Sequence, residues 1–444
     1  MTDDLLFPVG EALPQLSLPS RATGVPRVQR PVRNQVEYYH GDLDSLIECD
    51  HPVRVVWEFV QGVDVSNLYQ FVRTFEGSAG RPPIDPRILL ALWLYATLRG
   101  VGSAHVLDGL CSDHVAFRWL CGGVSVNYHT LSDFRSDSAE LLDSMLIDQI
   151  TALCSTGLVT MDCVAHDGLR TRASAAPKSF RGKESLEEMR QEAEQQVKAL
   201  EQELHDHPAA CSKRQASARE RAARERLERV EEALKQLPDV EAKKKDPKRT
   251  ARVSTTDPDA RVMKMPNGGF NPAFNVQLSA DTGSQIIVGA SVTNCGSDHA
   301  LLPQAIEQIE THAGCAPKTT LVDGGFNKPE NIEKLSEKTE VYAPATEHKD
   351  KNGKPLEAKK PETPAVKACR ERMESPEGKE LYKLRASTIE CVNALARNRG
   401  LKQFLVRGLE KVESVVLLFV LVHNIMRTKS LMQEKQLKAQ AQTG

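Results

Sequence analysis

The sequence is poor in several features that mark specialised classes of protein. Aromatic residues are only 5% of the 444 residues, and the formal net charge is −2. The longest apolar run, Val415–Val422, is far shorter than the roughly 20 residues that a membrane span needs. The N-terminal stretch lacks the basic, apolar and small-residue order of a signal peptide. These absences predict a soluble cytoplasmic protein with no membrane partner.

The ten cysteines contain no CxxC pair, and a chain of this length is not a small disulfide scaffold. Cys111, His114, Cys121 and His129 allow a zinc interpretation, but their spacing matches no common zinc finger. Cys111 and Cys121 also lie in an apolar stretch. We therefore expect buried free thiols in this region.

The lack of net positive charge gives no sign of a DNA-binding protein, but net charge does not report local patches. Two basic clusters stand out. The first lies within 243–249, and the second consists of Arg397, Arg399, Lys402, Arg407 and Lys411. Each cluster fits either a solvated face or a contact surface for nucleic acid.

The first 156 residues divide into an arm and a helical region. Residues 1–36 are rich in Pro and Arg and lack periodicity, which predicts a flexible arm. In 37–156, Pro86 begins an apolar helix, since proline suits a first turn, and Thr130 with Asp133 resembles a capping box. Short helices joined by tight turns predict either a helix-turn-helix DNA-binding domain or a helical packing domain.

From residue 157 the pattern changes to strands, with a charged insertion. Apolar residues in the insertion step by three and four, which is typical of an amphipathic or coiled-coil helical hairpin. A later stretch rich in Lys, Glu and Pro predicts a mobile loop. The predicted segments are a mixed α/β domain at 157–430, its hairpin at 183–237, its loop at 346–376 and a polar tail at 431–444.

Two predicted strands end in the same pattern, apolar residues followed by Asp-Gly. The pairs are Asp167-Gly168 and Asp323-Gly324. Sites in α/β sheets form at the C-terminal ends of strands, and glycine lets the backbone turn sharply and leaves room for a ligand. Each pair alone also fits an ordinary turn. Asp162 competes for the role of first acid, but it lies mid-strand and no glycine follows it.

A predicted helix over 377–395 carries Tyr382, Arg385 and Glu390, and Arg397 follows the acid by seven residues. In a regular helix Glu390 and Arg397 lie on one face, two turns apart. A carboxylate and a cation so placed suit a divalent metal with a phosphate beside it. The same pattern also fits a helix with a surface acid and a surface base.

These blocks resemble the DDE transposases of bacterial insertion sequences, whose catalytic domain is ribonuclease-H-like. The late block of that family is Tyr-x-x-Arg, then Glu, then Lys or Arg, matched here by Tyr382, Arg385, Glu390 and Arg397. Four residues separate the Arg from the Glu, where many members have three. The resemblance spans roughly 37–430, with further matches at Gly80–Pro83, Thr255–Arg261, Phe274–Gln277 and Val422–Asn424.

The resemblance implies an α+β protein in which an all-helical, helix-turn-helix-like domain precedes a ribonuclease-H-like domain that the charged hairpin interrupts. It implies a DNA transposase that cleaves at transposon ends and joins the 3′ hydroxyls to target DNA. Asp167, Asp323 and Glu390 would be its catalytic and metal-binding residues. They would hold two Mg²⁺ ions, for which Mn²⁺ can substitute, because Mg²⁺ prefers oxygen ligands and two metals suit an in-line displacement.

The same resemblance names the partners. Tyr382, Arg385 and Arg397 would contact DNA, either the terminal inverted repeats or the target, and the protein would work at the nucleoid as a homo-oligomer, with a dimer expected. Two other functions stay open at this point. They are a noncatalytic DNA-binding protein derived from a transposase and a metal-dependent DNA nuclease without strand transfer. Near the acids, His166 is expected to be structural and Asp298 to be a helix N-cap.

Overall fold

A computed structural model describes residues 41–69, 83–206, 213–243, 250–344 and 363–443. The predicted arm at 1–36 lies outside these ranges, as do residues 80–82 of the Gly80–Pro83 match and most of the predicted loop. In the part of the chain that is described, no helix is long and apolar enough to cross a membrane.

The N-terminal region is helical, as its pattern predicts. Pro86 stands at the first position of its helix, and the backbone N–H of Arg87 donates to the Asp85 side chain at 2.8 Å, which caps that helix. Leu90 and Leu94 point to the side of this helix opposite Leu92, and all three are fully buried. The helix is therefore packed on all sides by the protein and is not amphipathic. The helices are α1 Pro52–Gly62, α2 Ser66–Tyr69, α3 Pro86–Leu98, α4 Ala104–Asp113, α5 Val115–Cys121, α6 Tyr128–Ser136 and α7 Ala139–Ser155.

Two local expectations for this region have different outcomes. The capping box at Thr130 is wrong, because Thr130 lies inside the first turn of α6 and its backbone N–H donates to the Asn127 side chain at 3.0 Å. Cys111 and Cys121 are free thiols, as expected, and they hydrogen-bond to each other; Cys121 is buried, whereas Cys111 is only partly buried. His114 caps α5 by accepting from the backbone N–H of Ala116.

The strands form one six-stranded sheet and one two-stranded sheet. In the large sheet β5 pairs antiparallel with β1 on one side and with β4 and β6 on the other, and β7 and β8 continue parallel to β1. β2 and β3 pair with each other. The strands are β1 Cys163–Arg172, β2 Phe180–Arg181, β3 Val253–Ser254, β4 Arg261–Lys264, β5 Phe270–Asp281, β6 Ile287–Thr293, β7 Thr319–Leu321 and β8 Glu340–Tyr342.

The predicted helical hairpin consists of α8 Lys183–Asp206 and α9 Lys213–Ala242. Because β2, just before the hairpin, pairs with β3, which follows it in the chain, the chain leaves and rejoins the domain at one place. Leu186, Val230 and Leu237 are buried along its seam. Its outer surface is charged, and exposed pairs such as Arg224–Glu201 at 2.8 Å cross between the two helices.

The remaining helices lie in the second half of the chain, and they revise two expectations. The loop predicted at 346–376 is wrong for part of its length, since proline at the first position begins a helix there. The polar tail at 431–444 continues the last helix to Thr443. The helices are α10 Leu302–Ala313, α11 Pro329–Leu335, α12 Pro364–Glu374, α13 Pro376–Arg385, α14 Cys391–Asn398 and α15 Leu409–Thr443.

Helix α15 packs against the N-terminal helices and against β6, so its apolar run forms part of the core. The buried Asn424 side chain accepts from the backbone N–H of Ile287 at 2.8 Å and donates to the Ile287 carbonyl at 2.9 Å. His423 lies 2.9 Å from the Gln285 carbonyl. The Val-His-Asn segment therefore satisfies backbone groups at the start of β6, which gives this matched segment a structural role.

Asp257, in the matched Thr255–Arg261 segment, is fully buried and accepts from the backbone N–H of Gly408 at 3.2 Å. Burial raises the pKa of its carboxyl to about 6, while that backbone N–H lowers it. Because the folded pKa exceeds the usual value of 3.8, the folded state loses stability as the pH rises from about 4 through 6.

We therefore expect Asp257→Asn to unfold at a higher temperature than the wild type at pH 8, by the equivalent of about 1–3 kcal/mol, because the amide keeps the acceptor and removes the buried charge. At pH 4 the two proteins should melt within a degree or so of each other. Calorimetry at both pH values measures the difference. An equal difference in melting temperature between the variant and the wild type at both pH values would show that the titration of Asp257 does not cause it.

Candidate functional site

The first two acids lie at the same end of neighbouring parallel strands. β1 and β7 pair from Cys163–Thr319 to Ala165–Leu321, and each acid comes two residues after the last pair. The sequence predicted a strand end at Asp167, and this prediction is wrong. β1 continues past Asp167 to Arg172 in antiparallel pairing with β5. Asp167 stands instead where the parallel neighbour stops, which opens that side of the strand.

Asp167 is partly buried, with 19% of its side chain exposed, and both of its oxygens accept hydrogen bonds. Oδ1 accepts from the backbone N–H of Gly168 at 2.9 Å. Oδ2 accepts from Nδ2 of Asn393 and lies against Nη2 of Arg385, each at 3.1 Å. Burial raises the pKa of this carboxyl to about 6; Arg385 lowers the pKa and the charge of Asp323 raises it further. The positive charge of Arg385 therefore does not fully offset the effects of burial and of Asp323 on the Asp167 carboxylate.

Asp323 is held by its own loop. Its Oδ1 accepts from the backbone N–H of Gly325 at 2.9 Å and caps a short 3₁₀ turn at Gly324–Phe326. The Tyr382 hydroxyl donates to the carbonyl of Val322 at 3.0 Å, so α13 is tied to the residue directly before the acid. The structure thus gives Tyr382 a contact that fixes the second acid.

His166 is structural, as expected. It is buried, with Nδ1 2.8 Å from the Ser279 hydroxyl and Nε2 2.9 Å from Oε1 of Gln277, and its ring packs edge-on against Phe326. Burial lowers its pKa to about 4, so the ring is neutral at neutral pH. A neutral ring with both nitrogens engaged is not free to exchange protons with a substrate.

Glu390 lies on a turn of π-helix, Ala386–Glu390, between α13 and α14. Nη1 of Arg385 is 2.9 Å from Oε1 of Glu390, whose side chain is 56% exposed. In an α-helix residues four apart face each other, whereas the wider π-turn brings together residues five apart. The π-turn therefore accommodates the extra residue between Arg385 and Glu390. It ends at Glu390, so the two turns from Glu390 to Arg397 are regular helix and both side chains are exposed, as the single face predicts.

If the π-turn exists to absorb one residue, deleting Ser387 should convert it to regular α-helix and leave the rest of the domain in place. Ser387 is exposed, and its carbonyl accepts from Gln285 at 2.8 Å. We expect the deletion to cost only about 1–2 kcal/mol, from this hydrogen bond and the one that the Ser387 hydroxyl donates to the Leu384 carbonyl, as measured by thermal unfolding.

Ala394 offers the matched control, since it is also exposed but lies in the regular helix α14. Its deletion should rotate the following residues by about 100° and expose the buried Ala396, at a cost of several kcal/mol. Equal loss of stability in the two deletions would contradict this account of the π-turn.

Asn393 is a site residue that sequence reasoning missed. It is buried, its Nδ2 holds Asp167, and its Oδ1 has no hydrogen-bond partner among the described residues. Only the NH₂ group can face a carboxylate, so this orientation of the amide is fixed by chemistry. The available signal was its position one turn after Glu390 on a predicted helix.

Asp298 is not the expected N-cap, because its carboxylate points into a buried polar network. Its oxygens accept from Asn275 at 2.6 Å, from Gln277 at 3.2 Å and from Arg170 at 3.1 Å. Gly168 makes this approach possible, since an added Cβ would lie 2.7 Å from Oδ1 of Asp298. The glycine thus serves close packing rather than the sharp turn expected from the sequence.

Asp162 and Arg397 are both separate from this cluster. Asp162 directly precedes β1 rather than lying mid-strand, is 59% exposed and pairs with Lys318 at 2.7 Å, so it lies at the opposite end of the parallel pairing from Asp167. Arg397 is exposed on α14 and has no ion-pair partner among the described residues. The structure therefore favours Asp167 as the first acid.

The fit of this site to a divalent cation rests on its donors. Asp167 and Asp323 offer carboxylate oxygens, the preferred ligands of Mg²⁺, and the charge of Asp323 disfavours the ionised form of Asp167, which a cation would favour. Within the described ranges, no three acidic, histidine or cysteine side chains are arranged to hold a metal ion. Glu390 is turned toward Arg385 and would complete the donor set only by leaving that ion pair.

Two family descriptions match the chain. Residues 41–137 match one described as "Transposase domain (DUF772)", and residues 345–428 match one described as "Transposase DDE domain". The second match contains Tyr382, Arg385, Glu390 and Arg397 and ends after the Val-His-Asn segment. No curated protein and no solved structure matches the chain significantly. The two matches confirm the resemblance drawn from the sequence and support a transposase function in general.

Proposed function

Since this chain resembles the insertion-sequence DDE transposases and carries two of their domains, we propose that it cleaves DNA at transposon ends and joins the 3′ hydroxyls to target DNA. The observation that carries the proposal is the position of Asp167 and Asp323 at the same end of the parallel pairing of β1 with β7, with Arg385 linking Asp167 to Glu390. In this proposal the three acids are the catalytic residues.

Asp167 and Asp323 would hold Mg²⁺, or Mn²⁺ in its place, and Glu390 would join them once released from Arg385. Bound divalent metal supplies an activated water or 3′ hydroxyl and stabilises charge on the entering and leaving oxygens, and two ions suit an in-line displacement. Asn393 and the backbone N–H of Gly168 orient Asp167. Tyr382 and the Gly325 backbone N–H keep Asp323 in place.

The basic side chains have separate roles in this proposal. Arg385, only 11% exposed, balances Asp167 and Glu390, and a guanidinium released from them is suited to hold a phosphate with two hydrogen bonds. Exposed Arg397 would contact a phosphate further along the DNA. Tyr382 stays a predicted DNA contact, although its hydroxyl already bonds to Val322.

The same proposal extends to the architecture and the partners. Three antiparallel strands followed by two strands parallel to the first support a ribonuclease-H-like catalytic domain interrupted by the α8–α9 hairpin. The helical region at 37–156 would bind the terminal repeats in a helix-turn-helix manner. The enzyme would act as a homodimer on nucleoid DNA, since the two ends of a transposon require two active sites.

The test uses the full-length protein and a supercoiled plasmid that carries its gene with the flanking DNA. With Mg²⁺ or Mn²⁺ we expect nicked, excised and joined products, and with EDTA none. Binding without nicking would indicate a noncatalytic DNA-binding protein, and nicking without joined products would indicate a nuclease; either result would contradict the proposed transposition.

A further inference from the structure

A cavity of about 130 Å³ lies away from the three acids, between the C-terminal end of α3, helix α6 and the segment that follows α14. Trp93, Phe404 and Leu418 form much of its apolar wall, and two arginines, Arg135 and Arg399, also line it. No carboxylate among the described residues lines this cavity. Two cations in a partly apolar cavity without an anion are an unusual arrangement.

Arg135 is only 6% exposed and only partly satisfied. Its Nη1 donates to the carbonyl of Gly102, and its guanidinium lies 4.3 Å from the ring centroid of Trp93. Its Nε is buried without a hydrogen-bond partner among the described residues. Burial lowers the pKa of this arginine to about 10, which is still high enough to keep the charge at neutral pH.

Arg399, at the C-terminal end of α14, has the same deficit. Its Nη1 is buried without a partner in the described part of the chain, and burial lowers its pKa. Neither arginine forms an ion pair with a described acid. A buried donor left without an acceptor, and a buried charge left without a counter-charge, both destabilise a protein. Because both arginines line the same cavity, an anion bound there would supply the missing negative charge and an acceptor.

The cavity has a fixed position relative to the acids. The Thr171 hydroxyl donates to the carbonyl of Leu401 at 3.1 Å, which ties the cavity wall to β1 four residues beyond Asp167. At about 3.3 Å per strand residue, Thr171 lies roughly 13 Å along β1 from Asp167.

We propose that Arg135 and Arg399 form a binding site for a phosphate group, and that in the working enzyme it receives a backbone phosphate of the DNA end whose scissile phosphate lies at Asp167. The DNA assignment rests on the proposed function. Arginine suits this ligand because its planar fork donates two parallel hydrogen bonds to phosphate oxygens. This phosphate site would hold the DNA end in position between the helical region and the catalytic sheet.

The first test measures thermal unfolding of the full-length protein with inorganic phosphate as the probe, against chloride at equal ionic strength. We expect phosphate to raise the melting temperature of the wild type, and the rise to be absent in Arg399→Gln. Arg118→Gln, which removes an exposed arginine of α5, is the control and should keep the full rise. A wild type that does not respond, or an Arg399→Gln protein that responds fully, would overturn the site.

Arg135→Gln should also abolish the phosphate response. Because Arg135 holds Gly102, this variant can lose stability for a purely structural reason, and Arg399→Gln then carries the test alone. If Arg399 serves only packing, its replacement shifts the melting temperature equally with and without phosphate. That parallel shift would contradict a phosphate site.

The second test distinguishes DNA phosphate from free phosphate. If the site takes a backbone phosphate, Arg399→Gln should weaken DNA binding roughly tenfold and reduce the slope of log affinity against log salt by about one unit. An intact phosphate response with an unchanged DNA slope would assign the site to free phosphate. Failure of both tests leaves metal-dependent cleavage by the three acids unaffected, so this inference and the proposed function can fail independently.

Discussion

Metal-dependent DNA cleavage should fall by about three orders of magnitude when Asp167, Asp323 or Glu390 is replaced by alanine. Loss of one metal-binding carboxylate removes several kcal/mol of charge stabilisation from the transition state, and each 1.4 kcal/mol is tenfold in rate. Single-turnover cleavage of a labelled DNA end in Mg²⁺ measures the change. Binding of that end should remain within about threefold of the wild type, because the acids do not contact DNA directly in this proposal.

Asp162→Ala is the matched control, since Asp162 is an aspartate five residues before Asp167 and pairs with exposed Lys318 away from the three acids. An exposed ion pair contributes little to stability, so this variant should fold normally and cleave at nearly the wild-type rate. Thermal unfolding of all four variants separates loss of chemistry from loss of fold. Near wild-type cleavage by any one of the three alanine variants would remove that residue from the catalytic set.

The sequence pattern was enough to single out Asp167 and Asp323 as candidate site residues. It did not show how far the strand that holds Asp167 continues. An Asp-Gly pair after apolar residues is typical of a turn, and nothing in the local pattern shows that β1 continues to Arg172. That continuation depends on β5, whose partner residues lie about a hundred positions later. The reason for Gly168 is equally remote, because it depends on Asp298, Gln277 and Asn275.

The late helix shows a different limit. Its existence and its Tyr, Arg and Glu residues follow from periodicity and from the family resemblance. The π-turn at Ala386–Glu390 does not, because periodicity assumes one spacing throughout a helix. The extra residue between Arg385 and Glu390 indicates that some adjustment is needed without showing where the hydrogen bonding changes.

The error at 346–376 has a compositional cause. Lys, Glu and Pro are frequent both in loops and in short exposed helices, since Lys and Glu favour helix and Pro suits its first position. Pro364 occupies that first position in α12. Composition alone cannot separate the two states, and the buried Cys369 that anchors this helix to the domain is a tertiary contact.

Gly168→Ala should destabilise the protein although it adds a single methyl group. The new Cβ would lie 2.7 Å from both Oδ1 of Asp298 and Nε2 of Gln277, closer than such atoms can approach. Those side chains cannot simply move aside, because Asp298 accepts three hydrogen bonds and Gln277 also holds His166. We expect a loss of roughly 2–3 kcal/mol in the free energy of unfolding, from overpacking and broken buried hydrogen bonds, as measured by denaturant titration.

Gly109→Ala is the control, since Gly109 is exposed on helix α4 and an added Cβ would meet nothing within 4 Å. Alanine favours helix over glycine by about 1 kcal/mol, so this variant should be as stable as the wild type or more stable. The network beside Gly168 also lies close enough to Asp167 for Asp298 to raise the Asp167 pKa, so Gly168→Ala should reduce cleavage even in the folded fraction. A Gly168→Ala protein with wild-type stability and cleavage would show that the polar network can shift freely and does not fix the position of the first acid.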